Sequence, residues 1–179
     1  MKKIICIVLA FALMGSLAGC GGQNASSSSS SPPSTSSSVS SESSSVPALD
    51  EAGFPTLLDN VYTNYEVMGV VDFEENAIKD VLGLEKDMYD FFAGRQSLAR
   101  FNIGDVIIVR PTSGNTEAVK EKLEAYRKSK EDQFKEYNVG GDYEKAQNAV
   151  IYERGGYVVF IMTENNDPAK KLIDEFIPK

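Results

Sequence analysis

The chain contains no histidine and no tryptophan, and its only cysteines are Cys6 and Cys20. A Ser-His-Asp triad, a Cys-His pair, an HExxH helix and a His/Cys zinc site are therefore excluded. From residue 47 onward the only serines are Ser97, Ser113 and Ser129; none begins an S-x-x-K motif or sits in G-x-S-x-G. Positive charge is also short: 18 Lys and Arg face 26 Asp and Glu, a formal net charge of −8. An acidic chain is a poor partner for nucleic acid. No P-loop or G-x-G-x-x-G occurs, and Gly140-Gly141 and Gly155-Gly156 read as turns. Glu164-Asn165-Asn166-Asp167 is rich in oxygen but lacks the spacing of a calcium loop, and reads as a helix cap. Carboxylates are the chemistry that remains, and they are too plentiful for any pair to stand out. No catalytic residue, metal site or cofactor is expected.

The N-terminus reads as an address. Lys2 and Lys3 precede Ile4 to Met14, an uncharged apolar run of 11 residues, signal-peptide length and too short to span a bilayer. Leu17-Ala18-Gly19-Cys20 follows, and small residues before a cysteine at this place resemble the lipobox of bacterial lipoproteins. The resemblance implies a signal peptide over 1–19, cleavage before Cys20, and a diacylglyceryl group of palmitate type on the Cys20 thiol. The protein is then a lipoprotein on the extracytoplasmic face of the cell membrane, with the lipid bilayer as its first partner. Each buried methylene contributes about 0.8 kcal/mol, so two acyl chains hold durably where one is marginal. Cleavage also removes Lys2 and Lys3 and no acid, which deepens the formal charge from −8 to −10.

Residues 20–46 form a different composition. Between Ser26 and Ser45, 15 of 20 residues are serine. Such a stretch has little apolar surface to offset its conformational entropy and is expected to be a disordered tether. As a flexible coil it would span roughly 25–30 Å. Residues 47–179 are expected to form one globular domain. Leu57, Leu58, Val61, Tyr62 and Tyr65 recur at helical spacing after Pro55. A second helix is predicted over Glu74 to Leu82, with Gly83 as its stop. Met88 to Ala93 reads as an edge strand, and Asp105 to Arg110 as a buried one.

The longest helix is predicted from Asn115 or Thr116 to about Tyr137. Val119, Leu123, Tyr126, Phe134 and Tyr137 form its inward stripe, with Glu124/Lys128 and Glu131/Lys135 as i,i+4 pairs. Ala149–Arg154 and Tyr157–Met162 are β-rich runs joined by Gly155-Gly156, two residues suited to the positive φ of a tight hairpin. That register pairs Arg154 with Tyr157, Tyr152 with Val159 and Val150 with Ile161. Ile151 and Phe160 then face the helices. Tyr152, Arg154 and Tyr157 share the other face, and Tyr and Arg are common interface anchors, so these three form the candidate binding face. Asp167-Pro168 opens a last helix, with Asp167 as its cap. The fold class is α+β: a two-layer domain, with helices packed on a small, mainly antiparallel or mixed sheet.

Gly104-Asp105-Val106-Ile107-Ile108-Val109, Arg127 with Phe134 and Tyr137, and Asn148-Ala149-Val150-Ile151 leading to Gly156-Tyr157-Val158-Val159 carry a further likeness. With the lipobox and serine tether, they resemble domain of unknown function 4358, small lipoproteins typical of Gram-positive anaerobes. The resemblance implies no assigned activity, so no residue role is carried over from it. The expected function is a membrane-anchored, non-catalytic module at the cell envelope that binds a protein or an envelope polymer. The alternative is a small envelope enzyme using carboxylate acid/base chemistry, linked through the resemblance to polysaccharide modification.

Overall fold

The computed structural model describes residues 49–179. The segments expected to be a signal peptide and a serine tether, with Cys20, lie outside the described residues. The elements run α1 (Phe54–Tyr62), β1 (Val70–Asp72), α2 (Glu75–Asp80), β2 (Tyr89–Ser97), β3 (Asp105–Pro111), α3 (Thr116–Lys135), α4 (Asp142–Gln147), β4 (Val150–Arg154), β5 (Tyr157–Met162) and α5 (Asn166–Phe176). The five strands form one sheet in the order β1-β2-β3-β5-β4, and every neighbouring pair is antiparallel.

The central strands explain the rest. Val106-Ile107-Ile108-Val109 and the whole of β5 are continuous apolar runs, and all of these residues are buried. Because side chains alternate across a sheet, such runs require cover on both faces. Ile107, Val109, Val158, Phe160 and Met162 pack on one face with Val119, Leu123, Tyr126 and Phe134 of α3. Val106, Ile108, Tyr157, Val159 and Ile161 pack on the other with Phe54, Leu57, Leu58 and Val61 of α1 and Ala169 and Ile173 of α5. The domain is α+β as expected, and on each face a helical layer lies against the sheet.

The β4–β5 hairpin has the predicted register. Gly155 and Gly156 adopt φ of +54° and +81°, the left-handed backbone that this turn requires. At Gly155 a Cβ would also lie 2.5 Å from the Pro178 carbonyl oxygen.

Several elements differ from expectation. β2 runs on to Ser97 and is flanked by β1, a three-residue strand too short to stand out as a run. The six-residue α4 was likewise hidden behind Gly140-Gly141. Tyr137 lies past the end of α3 and is exposed. Arg127, rather than Lys128 or Lys135, bridges the α3 carboxylates, at 2.6 Å from Glu124 and 3.2 Å from Glu131. Asn165, not Asp167, caps α5: its side chain accepts from the Asp167 N–H. Tyr65 falls outside α1, where its hydroxyl donates to the Asn165 carbonyl at 2.7 Å and accepts from the Ala169 N–H at 3.1 Å, binding the two helices together. Among the described residues no helix is long and apolar enough to cross a membrane.

Candidate functional site

Tyr152, Arg154 and Tyr157 do share one face, but that face is covered. Tyr157 is only 4% exposed. Its ring packs 5.4 Å from that of Phe54 and 6.1 Å from that of Phe91, and its hydroxyl donates to Glu51 at 3.2 Å. The Arg154 guanidinium donates to the backbone carbonyls of Asp174 and Ile177, at the C-terminal end of α5. A cation there satisfies carbonyls that the helix leaves unpaired. The Tyr152 ring lies under Lys170, with Nζ 4.4 Å from its centre. The expectation of an open binding face is therefore corrected: these side chains attach α1 and α5 to the sheet. The signal was present in β5, whose six residues are all apolar and so demand burial on both sides.

The buried carboxylates hold loops. Asp105 is fully buried; Oδ1 accepts from the Ser97 N–H at 2.8 Å, Oδ2 accepts from the Tyr126 hydroxyl at 2.7 Å, and Lys130 Nζ stands 3.5 Å away. Burial pushes the Asp105 carboxyl up, against the opposing pull of Lys130 and these hydrogen bonds. Burial and the Asp105 charge likewise push the Tyr126 hydroxyl up. Asp142 accepts from the Ile103 N–H at 3.1 Å and from Lys145 at 3.0 Å, and Lys145 also donates to Asn102 at 2.9 Å. Asn102 itself has φ +56°. These contacts tie the β2–β3 loop to α3 and α4.

The most open chemistry lies at the other edge of the sheet. β1 pairs with β2 only over Arg95–Ser97, and Phe73 adds one more bond through its N–H to the Gly94 carbonyl at 3.2 Å. Beyond Phe73 the chain leaves for α2, and among the described residues the lower half of β2 has no outer strand neighbour. Its burial shows the difference: Asp90 is exposed and Phe91, Phe92 and Ala93 are half-buried, whereas every residue of β5 is buried. The ladder alternates, so Gly94 and Gln96 turn their backbone groups toward β1. Phe92 turns its N–H and C=O the same way, where no strand of the described residues runs.

Beside this bare edge is a cleft of about 240 Å³ between α1 and β2. Phe54, Pro55 and Leu58 form one wall, Phe91 and Ala93 another, and Asp72 and Phe73 close it where β1 ends. Glu51 lies at its mouth and is paired with Arg110. Arg95 is held between Asp59 at 2.6 Å and Asp72 at 2.8 Å. Sequence reasoning missed this site because it depends on where β1 stops.

A family model described as domain of unknown function (DUF4358) matches residues 63–163, a span that takes in all five strands. No curated protein matches the chain, and no solved structure matches it.

Proposed function

This chain belongs to the DUF4358 family, and from that premise we propose that it is a membrane-anchored, extracytoplasmic lipoprotein whose domain is a non-catalytic binding module at the cell envelope. The anchor reading rests on Lys2 and Lys3, the apolar run and Leu17-Ala18-Gly19-Cys20. One observation carries the binding reading: an apolar cleft opens beside β2 backbone that has no strand partner among the described residues. The hydrogen-bonding of Asp105 and Asp142 to loop backbone favours binding over carboxylate acid/base chemistry.

The test has two arms. Wild type should partition with membranes and incorporate labelled palmitate, and Cys20→Ser should abolish the label. An unmodified cysteine in the mass of membrane-derived protein would sink the anchor. For binding, a photo-crosslinking residue is placed in living cells at Asp90, and separately at Lys128, Tyr137 and Glu164, which are exposed on other surfaces. A discrete envelope adduct from at least one position is expected. Adducts from none would count against a binding module.

A further inference from the structure

The binding-module reading leaves open what the cleft takes, and the edge chemistry narrows it. Three observations converge on one stretch of β2. First, the strand is nine residues long and its outer neighbour β1 is three. The Phe92 N–H and C=O therefore point to the side where β1 has ended. Second, the space beside them is lined by Phe54, Pro55, Leu58, Phe91 and Ala93; Phe54 and Leu58 are buried behind it, and a side chain placed on the α1 face of an added strand would meet exposed Pro55 and half-buried Phe91 and Ala93. Third, the flank is acidic. Between Asp72 and Asp90 the chain carries seven carboxylates and two lysines; Asp72 is paired with Arg95 and Glu85 with Lys79, while Asp87 and Asp90 stand exposed at the lower end of β2.

We infer that the lower half of β2 accepts an extended, lysine- or arginine-bearing peptide segment of another envelope protein as an added strand. The inference rests on the binding-module reading and names its ligand. Main-chain hydrogen bonds to the edge supply attachment, and alternate side chains supply selectivity, one set apolar into the cleft and the other cationic toward the carboxylates. Charge decides between occupants. A second copy would bring a second acidic flank to the same edge, and an anionic polymer would meet the same repulsion. A cationic segment is complementary to both the shape and the sign of the site.

The probe is a fluorescein-labelled peptide, Lys-Val-Lys-Val-Lys-Val-Lys, titrated against the full chain in detergent and followed by anisotropy. Saturable binding is expected, weakened at least tenfold when the three central amides are N-methylated and at least tenfold when glutamate replaces lysine. Native-state hydrogen exchange should slow at the Phe92 amide at least tenfold on binding, with no change at Phe91, which already faces β3. Phe92→Pro should bind at least tenfold more weakly than Phe92→Ala, since both lose the ring and only proline loses the outward N–H. If the proline variant does not fold, Asp87→Lys with Asp90→Lys, both exposed, should weaken the lysine peptide at least fivefold and strengthen the glutamate one.

Equal binding by the N-methylated peptide would overturn the inference, as would binding without protection at Phe92. So would self-association through this edge, or tighter binding of an anionic polymer than of the peptide. If the peptide fails while cellular crosslinks form at Lys128, Tyr137 or Glu164, the inference falls and the binding-module reading stands. If no position crosslinks, that reading falls with it.

Discussion

The two edges of the sheet are finished in different ways. At β4 the edge is tied down by side chains: Lys120 on α3 reaches Glu153 at 2.9 Å, Arg154 reaches the end of α5, and Asn166 donates to the Asn148 carbonyl at 2.8 Å. Lys170 covers Tyr152. At β2 the upper half is paired with β1 and the lower half meets only the cleft beside α1. Exposed strand edges invite pairing with other chains, and proteins commonly block them with charge or cover. Here the side chains of β4 are braced by α3 and α5, whereas the lower half of β2, with a bulge between Tyr89 and Phe91 and carboxylates beside it, borders an apolar cleft. The contrast directs attention to β2 rather than to the hairpin, although the hairpin is the stronger pattern in the sequence.

Both edges hang on the central strands, and the largest expected effects lie there. Phe160 is fully buried on the α3 face, its ring 5.7 Å from that of Tyr126. Phe160→Ala should cost about 3–5 kcal/mol. Tyr157 is buried on the opposite face against Phe54. Tyr157→Ala should cost a similar amount, about 3 kcal/mol or more. The two side chains share no core, so the double variant should add to within about 0.5 kcal/mol. Urea unfolding measures all three. A cost under about 1 kcal/mol for Tyr157→Ala would mean that α1 and α5 do not cover the sheet, and the comparison of edges would lose its basis.

The edges themselves come next in size. Ala93 turns its N–H toward Ile108 of β3, so Ala93→Pro should cost about 3 kcal/mol or more. Phe92→Pro should differ from Phe92→Ala by only about 1 kcal/mol or less, because the N–H that proline removes has no strand to meet. Equal penalties at the two positions would show that the β2 edge is not bare. At β4, Arg154→Ala should cost about 1.5–3 kcal/mol, since a charged donor to two helix-end carbonyls is lost. A surface arginine would have cost about 0.5 kcal/mol or less.

Legibility in the sequence followed the length of each signal. Gly155-Gly156 with its flanking runs set a register that the structure reproduces residue for residue, because turn length determines pairing in a hairpin. The stripe of α3 was readable from Val119 to Phe134, where apolar residues recur over about four turns. β1 and α4 were not, since three and six residues are too few to establish a period. The candidate site divided along the same line. Tyr152, Arg154 and Tyr157 were correctly placed on one face, but whether that face is open depends on α1 and α5 folding back from distant sequence. The cleft at β2 was invisible because an edge is defined by a partner that stops.

The smallest expected effect, and the one with opposite signs in two regions, is on pH dependence. Beside β4, burial would raise the Asp174 carboxyl, but the Lys170 ammonium, Tyr152 and Arg154 outweigh it and hold the group below the usual carboxylate range. A lowered folded value means that its contribution is present above the unfolded value of about 3.9 and is lost as pH falls through the folded one. The pair is partly solvated, so the contribution at neutral pH should be about 0.5–1 kcal/mol. At the start of β3, burial raises the Asp105 carboxyl. The sign then reverses: the folded state holds that proton more tightly, and ionising Asp105 weakens the fold as pH rises from the unfolded value to the folded one. Urea midpoints between pH 2.5 and 7 separate the two. Asp174→Asn should lie below wild type at pH 7 and converge with it at the acid end. Asp105→Asn should show a steeper rise of stability with pH than wild type, because the opposing slope has been removed. If Asp174→Asn stays equally weak at pH 3 and pH 7, the Lys170–Asp174–Arg154 cluster contributes packing rather than charge. The side chains of β4 would then be braced by shape alone.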